Sequence, residues 1–483
     1  MRFPTEPRAS GDGSTISMVH PDLCLSGIGE GWRADARSSW LAHADKAVQA
    51  RREFLFGVLS LCVILLLQSH WDAPITRDDS TLTISSMVAG VASGDLARRI
   101  LGLIAGGIGF IWLCRFSTRR LHLAGAYSLA AIAWVSLLCA SILWSADPSL
   151  TIRRLALLLL LLLSASALAS LHSARIFALV LLAAVLSLVS GIFCELYWGT
   201  FHPFSSGYRF GGAAHPNLQG TCLATGILGA IGYAFSTRRH RRLAAFAGFL
   251  CAVALLLTNS RTALGALAIA GAFGGILLFL RRTPRRLRPH IVICLLCGAA
   301  ALGIAATTLH LSDLAMHSVA EKRDEGNTDS LNGRAQVWAI CLRYAEQRPL
   351  LGYGYDSFWS ADHVATVSSE AQWPVNEAHS VYIDEILNEG LLGTLLFTFL
   401  IFACLLLASR RFLQGRNTEF GWAILFVFIL VHGISESILM PVISFPAYMI
   451  MVGIARFALL DDRSSHAPEF PGKENSRGYA SYS

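Results

Sequence analysis

The feature that most constrains this chain is the recurrence of long apolar stretches. Each has roughly 17 to 24 residues, the length of a helix that crosses about 30 Å of hydrocarbon. About twelve such stretches lie near residues 53–70, 99–115, 122–144, 154–171, 175–197, 217–235, 242–258, 263–280, 290–309, 389–409, 419–435 and 439–459. Of the 483 residues 54% are hydrophobic and only 15% are charged. The sequence therefore predicts an all-α polytopic membrane protein.

Basic residues between the stretches predict the orientation. Cytoplasmic loops are enriched in Lys and Arg, and every second connection is basic: RFSTRRLH, LHSAR, STRRHRR, RRTPRRLRPH and SRRFLQGR. Both termini are then cytoplasmic, with disordered tails at 1–52 and 461–483. No cleavage pattern follows the first stretch, so it is expected to stay in the protein. Two arginine pairs fall at outer span ends and are expected to snorkel or bind anions: Arg98 with Arg99, and Arg153 with Arg154.

The composition argues against several function classes, of which a membrane transporter is kept as the less favoured alternative. A net charge of +7 does not indicate nucleic-acid binding, because the basic residues form short clusters that topology explains. Cys294 and Cys297 lie within an apolar run without a second ligand pair, so they are expected to be packed side chains. We predict neither a metal nor a cofactor. A transporter would place charged ligands near the middle of its spans, and here charge gathers at the span ends.

One large polar block interrupts the spans. Residues 310–388 separate nine predicted spans in 53–309 from three in 389–460, and the topology places this block on the periplasmic face. It is expected to contain short helices, one of them amphipathic with Arg334 and Trp338 on the same face. Gly352 and Gly354 predict a turn. Residues 321–330 are expected to be a flexible opening.

A histidine near the end of this loop is a candidate catalytic residue. His379, Tyr382, Ile383 and Ile386 have the spacing of one helical face. A lone histidine is more often structural. Three arginines predicted on the same side change that interpretation: Arg209, Arg261 and Arg334. Together they could bind two adjacent phosphates, because guanidinium matches phosphate oxygens bidentately.

The motifs around these residues resemble those of the O-antigen ligase and polymerase superfamily. They are RFGGAAHPN (209–217), SRT (260–262), NGRAQVW (332–338), PLLGYG (349–354), His379 with Tyr382, and EGLLG (389–393). The resemblance covers roughly residues 200–410. It implies a helical bundle with a large periplasmic loop, whose members transfer glycans from polyprenyl-pyrophosphate donors without a metal. Many members have Asn after the histidine, where this chain has Ser380.

The resemblance also implies roles for individual residues. His379 falls at the position of the family's essential histidine, and Arg209, Arg261 and Arg334 at its phosphate-binding arginines. Glu377 and Glu385 are candidates for an alternative base or for orienting His379, and a solvated surface position is the alternative for both. Three further side chains are candidates for binding sugar or phosphate: Asn217, Tyr382 and Trp338. For the tryptophan, a place in the interfacial aromatic belt is an equal alternative.

The resemblance therefore implies a glycan polymerase of the bacterial inner membrane, with its site on the periplasmic face. It would transfer a polyprenyl-pyrophosphate-linked oligosaccharide to an acceptor sugar in exopolysaccharide or O-antigen synthesis. The alternative is a ligase with lipid A-core as acceptor, and the sequence leaves this choice open. Expected partners are the lipid-linked donor, the glycan acceptor and the bilayer, with flippase and chain-length regulator proteins as further candidates. A metal-dependent glycosyltransferase would require an acidic cluster in the first outer loop, where Asp78 and Asp79 form one pair.

Overall fold

Long apolar stretches of the chain form helices, because a backbone in hydrocarbon has to satisfy its hydrogen bonds within its own segment. The computed structural model describes residues 25–69, 83–93, 95–117, 125–294, 331–437 and 444–459. Regular secondary structure in these ranges is helical, which confirms the predicted all-α class. The chain divides into two units, Met1–Leu55 and Phe56–Ser483. The residues of interest lie in the second unit.

The α-helices have the following bounds: α1 Leu25–Gln68, α2 Ile84–Ser93, α3 Leu96–Arg115, α4 Ala126–Ala140, α5 Pro148–Ala169, α6 Ser173–Trp198, α7 Pro216–Ser236, α8 Arg241–Leu257, α9 Arg261–Arg282, α10 Leu331–Ala345, α11 Ala361–Ala371, α12 Val381–Leu413, α13 Phe420–His432 and α14 Phe445–Leu459. A further helical segment covers 288–294. α1 begins inside the segment that was expected to be a disordered tail.

Seven helices of the described ranges are long and apolar enough to cross a membrane. They are α3, α5, α6, α7, α9, α12 and the stretch Ala126–Leu143, in which α4 continues into a 3-10 turn. α13 and α14 are apolar but shorter. The chain is therefore a multi-span membrane protein. The count of about twelve stays a prediction. Most of the expected span 290–309 lies outside the described ranges, as do loop residues 310–330 and both terminal tails beyond the described residues.

Close packing fixes the bundle near α7. A Cβ added to Gly421 would lie 2.5 Å from Gly232 Cα, so the backbones of α13 and α7 meet where both residues are glycine. The ring of Phe177 from α6 fills the space beside them and is 1% exposed. Trp422 packs on this ring at a centroid distance of 5.2 Å. α7 is thereby held rigidly, and its first residues reach the site described below.

The long loop has a hydrophobic core of its own. α10 and α11 confirm the predicted short helices, and they enclose the buried side chains of Cys341, Trp359 and Val367. α2 packs against this core through Met87 and Val88. Burying each large apolar side chain stabilises the fold by about 1.5 to 3 kcal/mol. The loop is thus a folded unit, to which the segment between the first two predicted spans contributes a helix that the sequence did not indicate.

A break in α12 connects this loop to the bundle. Gly390 has φ 65° and ψ −168°, so the helix cannot continue its own hydrogen bonds there. Tyr353 N–H donates to Leu387 O at 2.8 Å, and Gly354 N–H donates to Asn388 O at 2.8 Å. In return, the amides of residues 391 and 392 donate to the carbonyls of residues 349 and 350. The PLLGYG segment, correctly predicted as a turn, therefore replaces the bonds that the break removes.

An ion pair makes a second connection between loop and bundle. Arg154 of α5 lies 2.8 Å from Asp356 Oδ1, and both side chains are largely buried. Burial raises the pKa of Asp356 to about 6, against the opposing effect of Arg154. Arg98 likewise pairs with Asp95 at 3.2 Å. Two of the four arginines that were expected to snorkel or bind anions therefore have a carboxylate partner within the protein.

Candidate functional site

Four parts of the chain meet at the carboxylate of Glu436, which follows α13. Its Oε1 accepts hydrogen bonds from Asn217 Nδ2 at 3.0 Å, Thr262 Oγ1 at 3.3 Å and Arg334 Nη2 at 2.8 Å. These three residues lie in the first turns of α7, α9 and α10. Glu436 is 8% exposed, so an unpaired charge there would be costly. The carboxylate thus joins two helix starts of the bundle to the loop.

Arg209 joins this cluster through Asn217. The guanidinium donates to Asn217 Oδ1 at 2.5 Å, while the amide nitrogen of the same side chain donates to Glu436. A second bond runs from Arg209 Nε to Thr258 O at 3.2 Å. Asn217 can bridge an arginine and a carboxylate because an amide has both an acceptor and donors. Two of the predicted arginines, Arg209 and Arg334, are therefore close to one another.

The segment that carries Arg209 is shaped by a buried carboxylate. Glu195 of α6 accepts from the amides of Gly211 at 2.9 Å and Gly212 at 2.8 Å, and from the hydroxyl of Tyr208. Gly212 has φ 61°, and a Cβ there would lie 2.4 Å from Gly191 Cα. Gly212 is thus required by the approach to α6, whereas a Cβ on Gly211 would lie 2.7 Å from Ala214 O within the same segment. Sequence analysis had not singled out Glu195.

Arg261 is the first residue of α9 and is exposed. Its guanidinium has no hydrogen-bond or ion-pair partner among the described residues. The neighbouring Thr262 donates to Glu436, so the backbone places Arg261 at the edge of the cluster. Its charge is not offset by a described carboxylate, whereas that of Arg334 is offset by Glu436.

The backbone before His379 is clamped from both sides. Trp338 Nε1 donates to Ala378 O at 2.8 Å, and Ala378 N–H donates to Asp384 Oδ1 at 3.0 Å. Asp384, which is 1% exposed, also accepts from Trp359 Nε1 at 2.8 Å. His379 itself has φ 52°, a left-handed conformation that costs free energy in a non-glycine residue. The prediction that His379 lies on a helical face is wrong, because α12 begins at Val381 and the clamp holds His379 outside it.

Two neighbours fix the imidazole ring of His379. Nδ1 lies 3.0 Å from Glu377 Oε1, and the ring stacks on Trp373 with centroids 5.7 Å apart and planes 11° apart. Burial opposes the imidazolium, but the close contact with the charged Glu377 and the charge of Glu436 raise the pKa of His379 above its ordinary value, with Arg334 acting against them. The side chain is 21% exposed. It is therefore held in place without being sealed off.

Residues 435–437 connect the histidine to the arginines. Ser435 O accepts a hydrogen bond from Arg334, and the next residue is the Glu436 of the cluster. The hydroxyl of Ser437 donates to Asp384, the residue that clamps Ala378. A single short segment after α13 thus touches both parts of the site. His379, Glu377, Arg334, Arg209 and Asn217 are brought together in this way.

The other predicted residues are engaged within the protein. Tyr382 OH donates to Leu430 O at 2.8 Å, and the indole of Trp338 donates to Ala378 O. Glu385 is 2% exposed, so the solvated alternative is wrong for this residue. Glu377, not Glu385, contacts His379. Substrate contacts of Tyr382 and Trp338 stay predictions.

Three residues important to this geometry were missed by sequence analysis: Glu436, Asp384 and Glu195. Each is a carboxylate that is 8% exposed or less; Glu195 and Asp384 lie near an end of an apolar helix, and Glu436 follows one. Because burying an unpaired carboxylate is costly, an acidic residue at the border of an apolar run is a signal for a buried partner. Among the described residues, no group of three His, Cys, Asp or Glu side chains is arranged to hold a metal ion.

Comparisons with known proteins agree with the motifs. Residues 246–398 match the O-antigen ligase family model, a range that contains Arg261, Arg334 and His379. The chain is also 26% identical over 242 residues to the exopolysaccharide production protein ExoQ of Rhizobium meliloti (strain 1021). That alignment covers 47% of this chain and 53% of the relative, so the chain spans about half the length of the relative it matches. Both matches confirm the resemblance to the O-antigen ligase and polymerase superfamily.

Proposed function

We propose that this membrane protein is a glycan polymerase that transfers a polyprenyl-pyrophosphate-linked oligosaccharide to an acceptor sugar hydroxyl, in exopolysaccharide or O-antigen synthesis. The observation that carries the proposal is the pairing of His379 with Glu377 beside the cluster of Arg334, Glu436 and Arg209. A base and a cationic cluster at one end of a bundle are what such a transfer needs. The similarity to an exopolysaccharide production protein supports the choice of product.

His379 acts as the general base in this proposal. In the neutral ring Nδ1 keeps its hydrogen and donates a hydrogen bond to Glu377. Nε2 is then the nitrogen that can accept a proton. As the acceptor hydroxyl attacks the anomeric carbon, its proton passes to Nε2. The bond between that carbon and the pyrophosphate oxygen breaks, and the polyprenyl pyrophosphate leaves with the electron pair. General-base assistance contributes typically about 10² to 10⁴ in rate.

The arginines bind the pyrophosphate and stabilise the charge that it gains on leaving. Three arginines against the single carboxylate of Glu436 give the cluster a net positive charge. Glu436 keeps Arg334, Asn217 and Thr262 in fixed positions, so little reorganisation is needed when the anion arrives. Arg261, whose charge no described carboxylate offsets, is the arginine best placed to meet it. Tyr382 and Trp338 support the loop and border the acceptor.

This proposal includes the membrane arrangement. The site faces the periplasm from the bacterial inner membrane, and both termini are cytoplasmic. About twelve spans lie in 53–309 and 389–460 around the periplasmic loop 310–388. The reaction uses neither a metal nor a cofactor. Flippase and chain-length regulator proteins are proposed partners, because the substrate is delivered across the membrane and the product grows by repeats.

Purified protein with lipid-linked oligosaccharide tests the function directly. We expect His379→Ala to lower turnover by about 10² to 10⁴, because the general base is lost. His202→Ala, which removes an exposed histidine outside the cluster, is the matched control and should keep full turnover. Near-normal turnover of a folded His379→Ala variant would contradict the assignment.

The alternative acceptor is distinguished in the same assay. A ligase is favoured by the description of the matching family and would transfer the glycan to lipid A-core. Products that lengthen on the polyprenyl carrier when lipid-linked oligosaccharide is the sole substrate indicate a polymerase. Transfer only when lipid A-core is added indicates a ligase. In both cases the roles of His379 and the arginines are the same.

A further inference from the structure

A basic cavity lies at the end of the bundle opposite to His379. It has a volume of about 580 Å³, within the range of about 300 to 1,000 Å³ that small-molecule sites occupy. It lies between the last turns of α12 and the segment that follows α9. α12 begins two residues after His379, and at about 1.5 Å per residue its length exceeds the roughly 30 Å of hydrocarbon. The cavity therefore faces the other side of the membrane.

The lining combines cationic and apolar side chains. Arg285, Arg288 and Arg410 contribute the charge, and Leu406 and Leu413 contribute apolar walls. No acidic side chain is among the lining residues in the described part of the chain. Repulsion between like charges at close range is unfavourable unless an anion or solvent compensates it. The cavity thus has the electrostatic character of an anion site.

Arg288 gives the cavity a fixed floor. Its guanidinium donates to three backbone carbonyls, Thr283 O at 3.1 Å, Leu413 O at 3.4 Å and Arg281 O at 3.3 Å. These bonds attach the segment after α9 to the end of α12. Arg285 and Arg410 are exposed and have no ion-pair partner among the described residues. Arg285 and Arg410 therefore have hydrogen-bond donors for a ligand, whereas Arg288 has a structural role.

A buried hydroxyl points to a ligand by a second route. Ser409 lines the cavity, and its Oγ is shielded from solvent and has no hydrogen-bond partner among the described residues. Rotation about the Cα–Cβ bond would turn this hydroxyl into the cavity. Serine hydroxyls in helices usually bond the carbonyl one turn back, as Thr394 does to Gly390 O at 2.7 Å in the same helix. Leaving a buried hydroxyl unpaired costs about 1 to 3 kcal/mol. A phosphate oxygen in the cavity would satisfy it.

An apolar track leads from the membrane to the cavity. Phe399, Phe402 and Leu406 of α12 are 51%, 49% and 54% exposed. Their spacing of three and four residues places them on one face of the helix, and Arg410 continues this face by one more turn. A phosphate alone would not use such a track, whereas acyl chains would. Basic pockets between spans at the cytoplasmic side are typical binding sites for anionic headgroups.

We propose that this cavity binds the headgroup of an anionic phospholipid, with its acyl chains along Phe399, Phe402 and Leu406. Arg285 and Arg410 bind the phosphate, Ser409 donates its hydroxyl, and Arg288 shapes the floor. The site is separate from the proposed transfer site and attaches the end of α12 to the lipid of the opposite leaflet.

Lipid-dependent thermal stability of the detergent-purified full chain tests this proposal. We expect phosphatidylglycerol to raise the melting temperature more than phosphatidylcholine does, with a measurable apparent dissociation constant. Arg285→Gln with Arg410→Gln should weaken that constant by roughly tenfold for each arginine, because charge-assisted bonds are lost. The matched control is Arg282→Gln with Arg286→Gln, which removes the same charge from exposed residues outside the cavity and should change the constant less than about threefold.

A second variant tests whether binding depends on the space in the cavity and not only on its charge. Ser409→Leu fills the cavity and removes the hydroxyl without altering charge, and it should also weaken phosphatidylglycerol binding. If the Arg282 and Arg286 variant lost as much affinity for phosphatidylglycerol as the Arg285 and Arg410 variant, the lipid would be attracted to a basic surface in general. That result would overturn the proposal. Inorganic phosphate that alone reproduces the stabilisation would overturn it as well, since the ligand would then be a soluble anion. Transglycosylation is not part of the readout, so the result is independent of the proposed function.

Discussion

His379 and the arginine cluster are supported in different ways. His379 is fixed by contacts that are close in sequence, from Trp338 to Asp384, within a loop that has its own core. The arginine cluster is assembled from α7, α9 and α10, whose residues are 219, 174 and 102 positions away from Glu436. The base therefore depends on local strain and packing, whereas anion binding depends on how the whole bundle closes.

This difference predicts that substitutions in the two parts of the site change the kinetic parameters differently. Loss of loop structure should move the base and lower kcat. Loss of the cluster should weaken donor binding and raise KM, and it should also lower kcat because the arginines stabilise the charge of the departing pyrophosphate. The parts share residues 435–437 and the break at Gly390, so substitutions there should affect both. Three variants, from the largest expected effect to the smallest, test this separation.

The largest effect is expected from Gly390→Ala, at the junction of loop and bundle. A Cβ there would lie 2.3 Å from the carbonyl carbon of Leu350, and φ is 65°. Strain of this kind costs about 1 to 3 kcal/mol before the clash is added. We expect a lower melting temperature, a lower kcat and a higher KM.

Gly265→Ala is the control for that variant. Gly265 lies within α9, and a Cβ there would meet nothing within 4 Å. The substitution should be neutral or stabilise the helix by up to about 1 kcal/mol. If Gly390→Ala melted at the same temperature as Gly265→Ala, loop and bundle would not be connected through the break in α12.

A smaller effect is expected from Glu436→Gln. The change keeps the size of the side chain but removes the charge that Arg334 contacts at 2.8 Å. Charge-assisted hydrogen bonds contribute about 1.5 to 3 kcal/mol, which corresponds to roughly a 10- to 100-fold loss in kcat/KM. We expect the loss mainly in KM for the lipid-linked donor. The steady-state parameters of purified protein measure it.

Glu346→Gln provides the matched control, because Glu346 is an exposed carboxylate of the loop 310–388 and lies outside the cluster. It should leave kcat and KM unchanged. A loss confined to kcat in Glu436→Gln, with KM intact, would show that Glu436 does not act through donor binding, and it would contradict the proposed separation of the two parts of the site.

Local motifs indicate some residues in each part of the site and miss the carboxylates that hold these residues in place. Arg334 and His379 could be found from sequence because α10 and the polar block carry their residues on adjoining stretches. Glu436 could not, because ISES between two apolar runs has no motif and its partners lie more than 100 positions away. The all-α class followed from apolar length alone. The conformation of His379 did not, since its clamp requires Trp338 and Asp384 to meet.

The break in α12 shows a further limit of the sequence. EGLLG reads as the start of an uninterrupted span, because glycine is tolerated in membrane helices. The left-handed Gly390 becomes necessary only when Leu350 and Leu351 lie against it, and this contact depends on the fold of the loop. A motif can therefore indicate that two segments matter without showing that they are bonded to each other.

The smallest effect is expected from Glu377→Gln, and it is visible in pH dependence. His379 works as a base only when neutral, so kcat/KM falls as pH drops through its pKa, which Glu377 helps to raise against burial. Without the carboxylate that pKa falls, and the acid limb of the profile should move to lower pH. The plateau should decrease by about tenfold or less, because Gln still offers an oxygen to Nδ1.

Glu370→Gln separates this effect from a general change in loop charge. The carboxylate of Glu370 pairs with Arg343 on the exposed side of the loop, away from the contacts of His379. Its removal should leave the acid limb in place. An acid limb that stays fixed in Glu377→Gln, or one that persists in the residual activity of His379→Ala, would assign the titration to a group other than His379. The contacts that hold His379 would then not determine the pH dependence of kcat/KM.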